Sequence, residues 1–224
     1  EEPDRQTGAY PVQLATKRDG PVKASDLIPI GLAAGREVMA VYADMTMPTT
    51  RKADGSPVTE ADRRAEQVIL DALRKGWPGI PVVAEEEAAA GRIPSVSESF
   101  FLVDPLDGTR EFIERNGEFT VNIALVRGGV PVAGLVHAPA TGQLFVGDAG
   151  GAWRADVRAG IVGPLQEIRA RQAPAALTVI ASRVNCGEGT RRWLEHFTVG
   201  ELISCGSSLK FCALAAGEAD LYPR

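Results

Sequence analysis

Histidine and cysteine are scarce in this chain. Two histidines, His137 and His196, are too few for a His-rich zinc site, so any metal must lean on oxygen donors. The three cysteines, Cys186, Cys205 and Cys212, are an odd number with no C-x-x-C spacing. That argues against a disulfide framework and for free thiols in a reducing compartment. No apolar run approaches the roughly 18 residues of a membrane span. The acidic opening Glu1-Glu2-Pro3-Asp4 is the reverse of a signal peptide, and the lack of an initial Met fits a processed or trimmed form. A surplus of positive charge is missing too: 24 Lys and Arg stand against 29 Asp and Glu. Bulk binding of a nucleic-acid polymer is thereby disfavoured. A small phosphate ligand remains open, because a bound metal would supply the positive charge locally.

What is present suits a folded domain. Hydrophobic residues make up 45% of the 224 positions and charged residues 24%, enough to build a core and too balanced for disorder. Residues 1–24 are polar and punctuated by Gly and Pro, and read as a flexible arm. A helical period follows from Ser25 to Tyr42. A second helix starts at Thr59, three residues before Asp62 in a capping-box arrangement, and stops at Gly76 and Pro78. Strand signals follow at 80–84, 100–103, 119–126, 130–136, 144–146 and 152–153. The last third alternates: strand 177–181, helix 189–197, strand 201–204, helix 207–217 and a strand start at 220–222. The pattern predicts an α/β fold, with an N-terminal α+β part over 25–155 and a C-terminal α/β part over 156–224.

Chemistry concentrates at two strand ends. Asp104-Pro105-Leu106-Asp107-Gly108-Thr109 follows one apolar strand, and Glu85-Glu86-Glu87 follows another. Ligands of α/β proteins sit at such ends. Two aspartates three apart, stiffened by Pro105, can aim both carboxylates at one point. If the two strands are neighbours, Glu85 and Asp104 meet at the same sheet edge. Hard carboxylate oxygens suit Mg²⁺. The same residues also fit a capped turn and a solvated charge run, and these readings stay open on residue chemistry alone.

Longer strings carry a resemblance. Glu85-Glu86 with Asp104-Pro105-Leu106-Asp107-Gly108-Thr109 resembles the signature of the inositol monophosphatase superfamily of Mg²⁺-dependent, Li⁺-sensitive phosphatases. The extension through Arg110-Glu111-Phe112 to Asn122-Ile123-Ala124 is similar to its CysQ-type bacterial branch, the 3′(2′),5′-bisphosphate nucleotidases. So are Lys52-Ala53-Asp54-Gly55-Ser56-Pro57-Val58-Thr59 with Ala61-Asp62, Gly206-Ser207-Ser208-Leu209-Lys210-Phe211-Cys212, and Ala219-Asp220-Leu221-Tyr222-Pro223-Arg224. The likeness runs from about residue 25 to the last residue.

The resemblance implies a layered α/β/α/β/α sugar-phosphatase sandwich. It implies Glu85, Asp104, Asp107 and the Leu106 carbonyl as ligands of two or three Mg²⁺ ions, with Asp104 bridging. Asp62 and Thr109 match the pair that positions and activates water. Gly108 and Thr109 would hold the scissile phosphate through their backbone, and Ser207, Lys210 and Arg224 the nucleotide, with Glu85, Leu106 and Asp107 also facing substrate. The implied reaction converts 3′-phosphoadenosine 5′-phosphate to AMP and phosphate in sulfur assimilation. Inositol phosphate or fructose 1,6-bisphosphate hydrolysis is the alternative on the same fold, and a non-catalytic nucleotide- or metal-binding protein the alternative of another class. The implied setting is the cytoplasm, with room for peripheral attachment at the inner membrane face, as a monomer or homodimer. Two departures stand out: Val184-Asn185 follows Ser182-Arg183 where the branch often has Ser-His, and the family's C-terminal Trp-Asp motif is not found before Arg224. The expectation is therefore a C-terminally incomplete fold.

Overall fold

The computed structural model describes residues 20–44, 50–51, 57–182 and 187–223. Most of the expected arm, the 52–56 part of the Lys52-to-Thr59 string, the Arg183-Val184-Asn185 departure, Cys186 and Arg224 lie outside the described residues.

The first long helix, α1 (Ala24–Ala43), is followed by a short antiparallel pair, β1 (Thr50–Arg51) and β2 (Pro57–Val58), and then by α2 (Glu60–Gly76). The start of α2 is the predicted capping box. The Thr59 backbone N–H and hydroxyl both donate to Asp62 Oδ2 at 2.7 Å, and Thr59 Oγ1 accepts from Ala61 N–H at 3.1 Å.

Then come β3 (Val82–Ala84), the short helix α3 (Glu85–Ala89), β4 (Ser99–Asp107) and the short helix α4 (Thr109–Ile113). A meander follows: β5 (Thr120–Arg127), β6 (Val130–Ala138), β7 (Gln143–Asp148) and β8 (Gly151–Arg158). Two small strands, β9 (Ile161–Val162) and β10 (Gln166–Glu167), both pair with β8. The sheet runs β10-β8-β7-β6-β5-β4-β3, antiparallel except for the parallel β3–β4 edge. Strand β8 runs across the expected boundary at 155/156, and β9 and β10 beyond it stay paired to the same sheet.

Alternation along the strands decides the layers. Phe101 and Val103 of β4 are buried while Leu102 between them is 49% exposed. The buried face meets α1 and α2, whose Leu27, Ile28, Val38, Ile69 and Leu73 are fully covered. A smaller cluster of Ala138, Phe145, Leu209 and Cys212 lies on the other side of the sheet.

The chain then forms β11 (Leu177–Ser182), α5 (Glu188–Leu194), β12 (Val199–Cys205) and α6 (Leu209–Ala215). Strands β11 and β12 are parallel, and Leu221 bridges in parallel to Val179. Helix α6 packs against both β6 and β11. Helix pair, large sheet, α6 and parallel pair thus follow one another as the first four layers of the expected α/β/α/β/α order.

Two glycines let α1 lie close on β6. A methyl carbon added at Gly31 would meet Leu135 Cδ2 at 2.5 Å, and one at Gly35 would meet the His137 ring at 2.5 Å. The His137 Nδ1–H donates to the Gly31 carbonyl at 3.1 Å. Burial pushes this imidazole down to about 4, against the pull of that hydrogen bond. The histidine is thus a neutral core residue.

Replacing Gly35 with alanine should overpack this contact and cost about 1–3 kcal/mol in urea unfolding. Gly79→Ala, with open space around it, should be neutral within about 0.5 kcal/mol. Equal midpoints for the two variants would refute the close-approach account.

An unfolded histidine titrates near 6.5, so the stability associated with neutral His137 is whole above that pH and drains as pH falls toward 4. The stability difference between wild type and His137→Gln should therefore drop by about 2 kcal/mol from pH 7 to pH 5. A difference that stays constant with pH would mean that the ring charges without penalty.

Candidate active site

The parallel pairing of β3 with β4 aligns Ala84 with Val103. The next residues, Glu85 and Asp104, therefore stand side by side. Glu85 begins α3, and Asp104 stays in β4 opposite Asn122 of β5. The β4–β5 register slips between Asp104 and Asp107. Pro105 has no N–H for the ladder, and Leu106 turns its side chain into the core, 1% exposed. The Leu106 N–H donates to Asp104 Oδ1 at 3.2 Å.

Three carboxyls crowd here under partial burial. Desolvation pushes Asp104 up to about 8, and the negative charges of Glu85 and Asp107 push in the same direction. Burial also raises Asp107, opposed by the positive charge of Lys210 and by the Ser208 N–H. A cluster of carboxyls whose mutual repulsion a positive charge would relieve is chemically suited to a hard cation, and the Leu106 carbonyl adds a neutral oxygen nearby. Among the described residues no three carboxyl, imidazole or thiol groups converge into a ready-made cage. Mg²⁺ does not need one, since it is commonly held by one or two carboxylates with waters and substrate phosphate.

Asp62 comes from α2, 1% exposed. Burial pushes it up to about 6, against its hydrogen bonds from Thr59. The Thr109 hydroxyl lies 3.4 Å from Asp62 Oδ1 and 3.2 Å from the Leu106 carbonyl oxygen. Two segments 47 residues apart in sequence thus meet at one hydroxyl. Gly108 before it has φ +90°, and an added Cβ would lie 3.0 Å from the Glu118 carbonyl oxygen, so only glycine fits without strain.

Ser207 and Lys210 also reach this region. Lys210 is 7% exposed. Its Nζ donates to the carbonyls of Ser207 and Cys205 at 2.5 and 3.4 Å, and its charge acts on Asp107. Ser207 is not the cap of α6. It takes the left-handed conformation, φ +48°, and Ser208 is the N-cap. The Ser208 hydroxyl donates to Asn122 Oδ1 and accepts from Thr120 Oγ1, both at 2.8 Å, and Gly206 N–H donates to Glu118 Oε2 at 2.7 Å. These bonds stitch the segment before α6 onto β5. Sequence reasoning did not single out Glu118, Thr120, Asn122 or Ser208 as structural ties, although all lie inside the quoted strings. Cys212 has its thiol pushed up to about 12 by burial, which makes it inert as a nucleophile.

Asp104→Asn removes one of the crowded charges. At about pH 8.5 the metal-free variant should melt higher than metal-free wild type, while the Mg²⁺-induced rise in Tm should shrink or vanish. An unchanged Mg²⁺ response would remove Asp104 from the cation site.

The inositol monophosphatase family pattern matches residues 26–224. The 3′(2′),5′-bisphosphate nucleotidases CysQ of Salmonella typhimurium and Escherichia coli are each 44% identical to the chain, over 192 and 193 residues, which covers 85% of this chain and 76% of each relative. The crystal structure of CysQ from Bacteroides thetaiotaomicron, a bacterial member of the inositol monophosphatase family, superposes with a TM-score of 0.73 at 35% identity, covering 90% of this chain and 79% of that one. With the carboxyl cluster on the β3–β4 edge and the Asp62–Thr109 pair beside it, the chain belongs to the inositol monophosphatase family.

Proposed function

We propose that the chain is a Mg²⁺-dependent phosphomonoesterase that removes the 3′-phosphate of 3′-phosphoadenosine 5′-phosphate, giving AMP and phosphate. The observation that carries this reading is the meeting of Asp62, Thr109 and the Leu106 carbonyl beside the Asp104–Glu85–Asp107 cluster. On this reading Asp62 is the base, the Thr109 hydroxyl the relay and the carboxyl cluster the cation site. The similarity to bisphosphate nucleotidases supports the choice of substrate.

Glu85, Asp104, Asp107 and the Leu106 carbonyl would hold two or three Mg²⁺ ions, consistent with the hard oxygen donors and their mutual repulsion. When bound, Mg²⁺ polarises the phosphoryl oxygens, lowers the pKa of the attacking water and offsets charge on the leaving alkoxide. The remaining work falls to this chain's own groups. Asp62, pushed up to about 6, is a carboxylate suited to proton transfer near neutral pH. It accepts the water proton through the Thr109 hydroxyl. The water oxygen forms the new P–O bond, the bond from phosphorus to the 3′ oxygen breaks, and a proton returns to that oxygen. The Gly108 and Thr109 backbone orients the scissile phosphate. Lys210 and Ser207 provide the polar and cationic side that receives the rest of the nucleotide, a role for which the resemblance also implies Arg224. A diffusible nucleotide substrate fits a cytoplasmic enzyme that clears a by-product of sulfur assimilation. No helix of the described residues is long and apolar enough to cross a membrane.

Asp62→Asn should lower kcat by about 10²–10⁴-fold while leaving Mg²⁺ affinity within a few-fold, read by steady-state kinetics beside calorimetric titration with Mg²⁺. Wild-type turnover by that variant would take Asp62 out of the mechanism. In the same assays, faster turnover of inositol 1-phosphate than of 3′-phosphoadenosine 5′-phosphate would overturn the choice of substrate.

A further inference from the structure

Glu66 lies on α2 one turn after Asp62, at the (i, i+4) spacing that places both side chains on the same helix face. It is 4% exposed. Its carboxylate is fully used by another element: Oε2 accepts from the Glu86 N–H at 2.7 Å and Oε1 from the Glu87 N–H at 2.9 Å.

Those two amides belong to the first turn of α3, where backbone donors have no partner within the helix. The usual remedy is a side chain at the N-cap. The N-cap of α3 is Ala84, which has none. Glu66 supplies the missing cap from a different helix. It fastens the backbone immediately after Glu85, while β3 pairing fastens the residue immediately before it. Glu85 is thus held from both sides, at the position next to Asp104 that the parallel ladder sets.

We propose that Glu66 is a positioning residue for the cation site: by clamping the Glu86 and Glu87 amides it holds Glu85 against Asp104 and so sets Mg²⁺ affinity. The inference rests on reading Glu85 and Asp104 as cation ligands. Groups that orient metal ligands commonly contribute 10–100-fold in metal affinity. A helix of five residues has little intrinsic stability, so α3 depends on such an outside tie.

The test is calorimetric titration of the full chain with Mg²⁺ alone, without substrate. Glu66→Gln keeps the size but turns one acceptor into an amide donor facing an N–H. Its Mg²⁺ Kd should rise by about 10–100-fold, and hydrogen exchange at the Glu86 and Glu87 amides should speed up. Arg74→Ala removes the 2.7 Å side-chain partner of Glu87 and leaves the backbone clamp, so its Kd should match wild type. A folded Glu66→Gln protein with wild-type Mg²⁺ affinity, whatever its Tm, overturns the proposal. Should Glu66→Gln fail to fold, wild-type exchange decides: Mg²⁺ should slow exchange at the Glu86 and Glu87 amides, and an unchanged rate overturns the proposal. Asp104→Asn and Glu85→Gln separate this from the site reading. If they too bind Mg²⁺ as wild type does, the cation site is misassigned. If they lose Mg²⁺ while Glu66→Gln keeps it, only the role of Glu66 falls.

Discussion

The parallel pairing of β3 with β4 is the contact on which the site depends. The other neighbour of β4, β5, runs antiparallel, and an antiparallel β3 would send Glu85 to the opposite end. Because the strands run together, two carboxyl-bearing residues emerge at adjacent ladder positions. The repulsion this creates is a cost in the folded chain. At Asp107 it is offset by the positive charge of Lys210 and by the Ser208 N–H.

Helix α2 organises the other half of the site from a single face. Its first turn holds Asp62 through the Thr59 capping box, and one turn later Glu66 reaches across to α3. The same helix buries Ile69 and Leu73 against the sheet, so hydrophobic packing fixes where both carboxylates stand. Capping, packing and chemistry are therefore not separable here: Asp62 closes its own helix start and also faces Thr109.

Much of this was legible from residue order. The helix starting at Thr59 and the strands at 80–84, 100–103 and 119–136 are visible because apolar period and turn residues agree locally. The acidic strings were visible because buried-strand residues end abruptly in carboxylates. The helices α3 and α4 were not, since five residues are too few to show a 3.6-residue period. The strands β9 and β10 escaped for the same reason. Glu66 carried a faint signal as a carboxylate amid Ala65, Ile69, Leu70 and Leu73 on an otherwise apolar face, but its amide partners are 20 residues away in sequence. The left-handed turn at Ser207, which puts the N-cap of α6 at Ser208, has no signal in the local pattern either.

By itself the sequence determined the longer elements, the family and the residues from which a site could be assembled, because those depend on local pattern and on the identity of side chains in ordered strings. Tertiary structure alone decided that Glu85 stands beside Asp104, that Thr109 lies between Asp62 and the Leu106 carbonyl, that Lys210 is buried within reach of the charge on Asp107, and that His137 is a neutral core residue under α1. Each of these is a relation between distant segments, set by strand direction, ladder register and the burial of a shared apolar face, and none has a periodicity that a one-dimensional reading could detect.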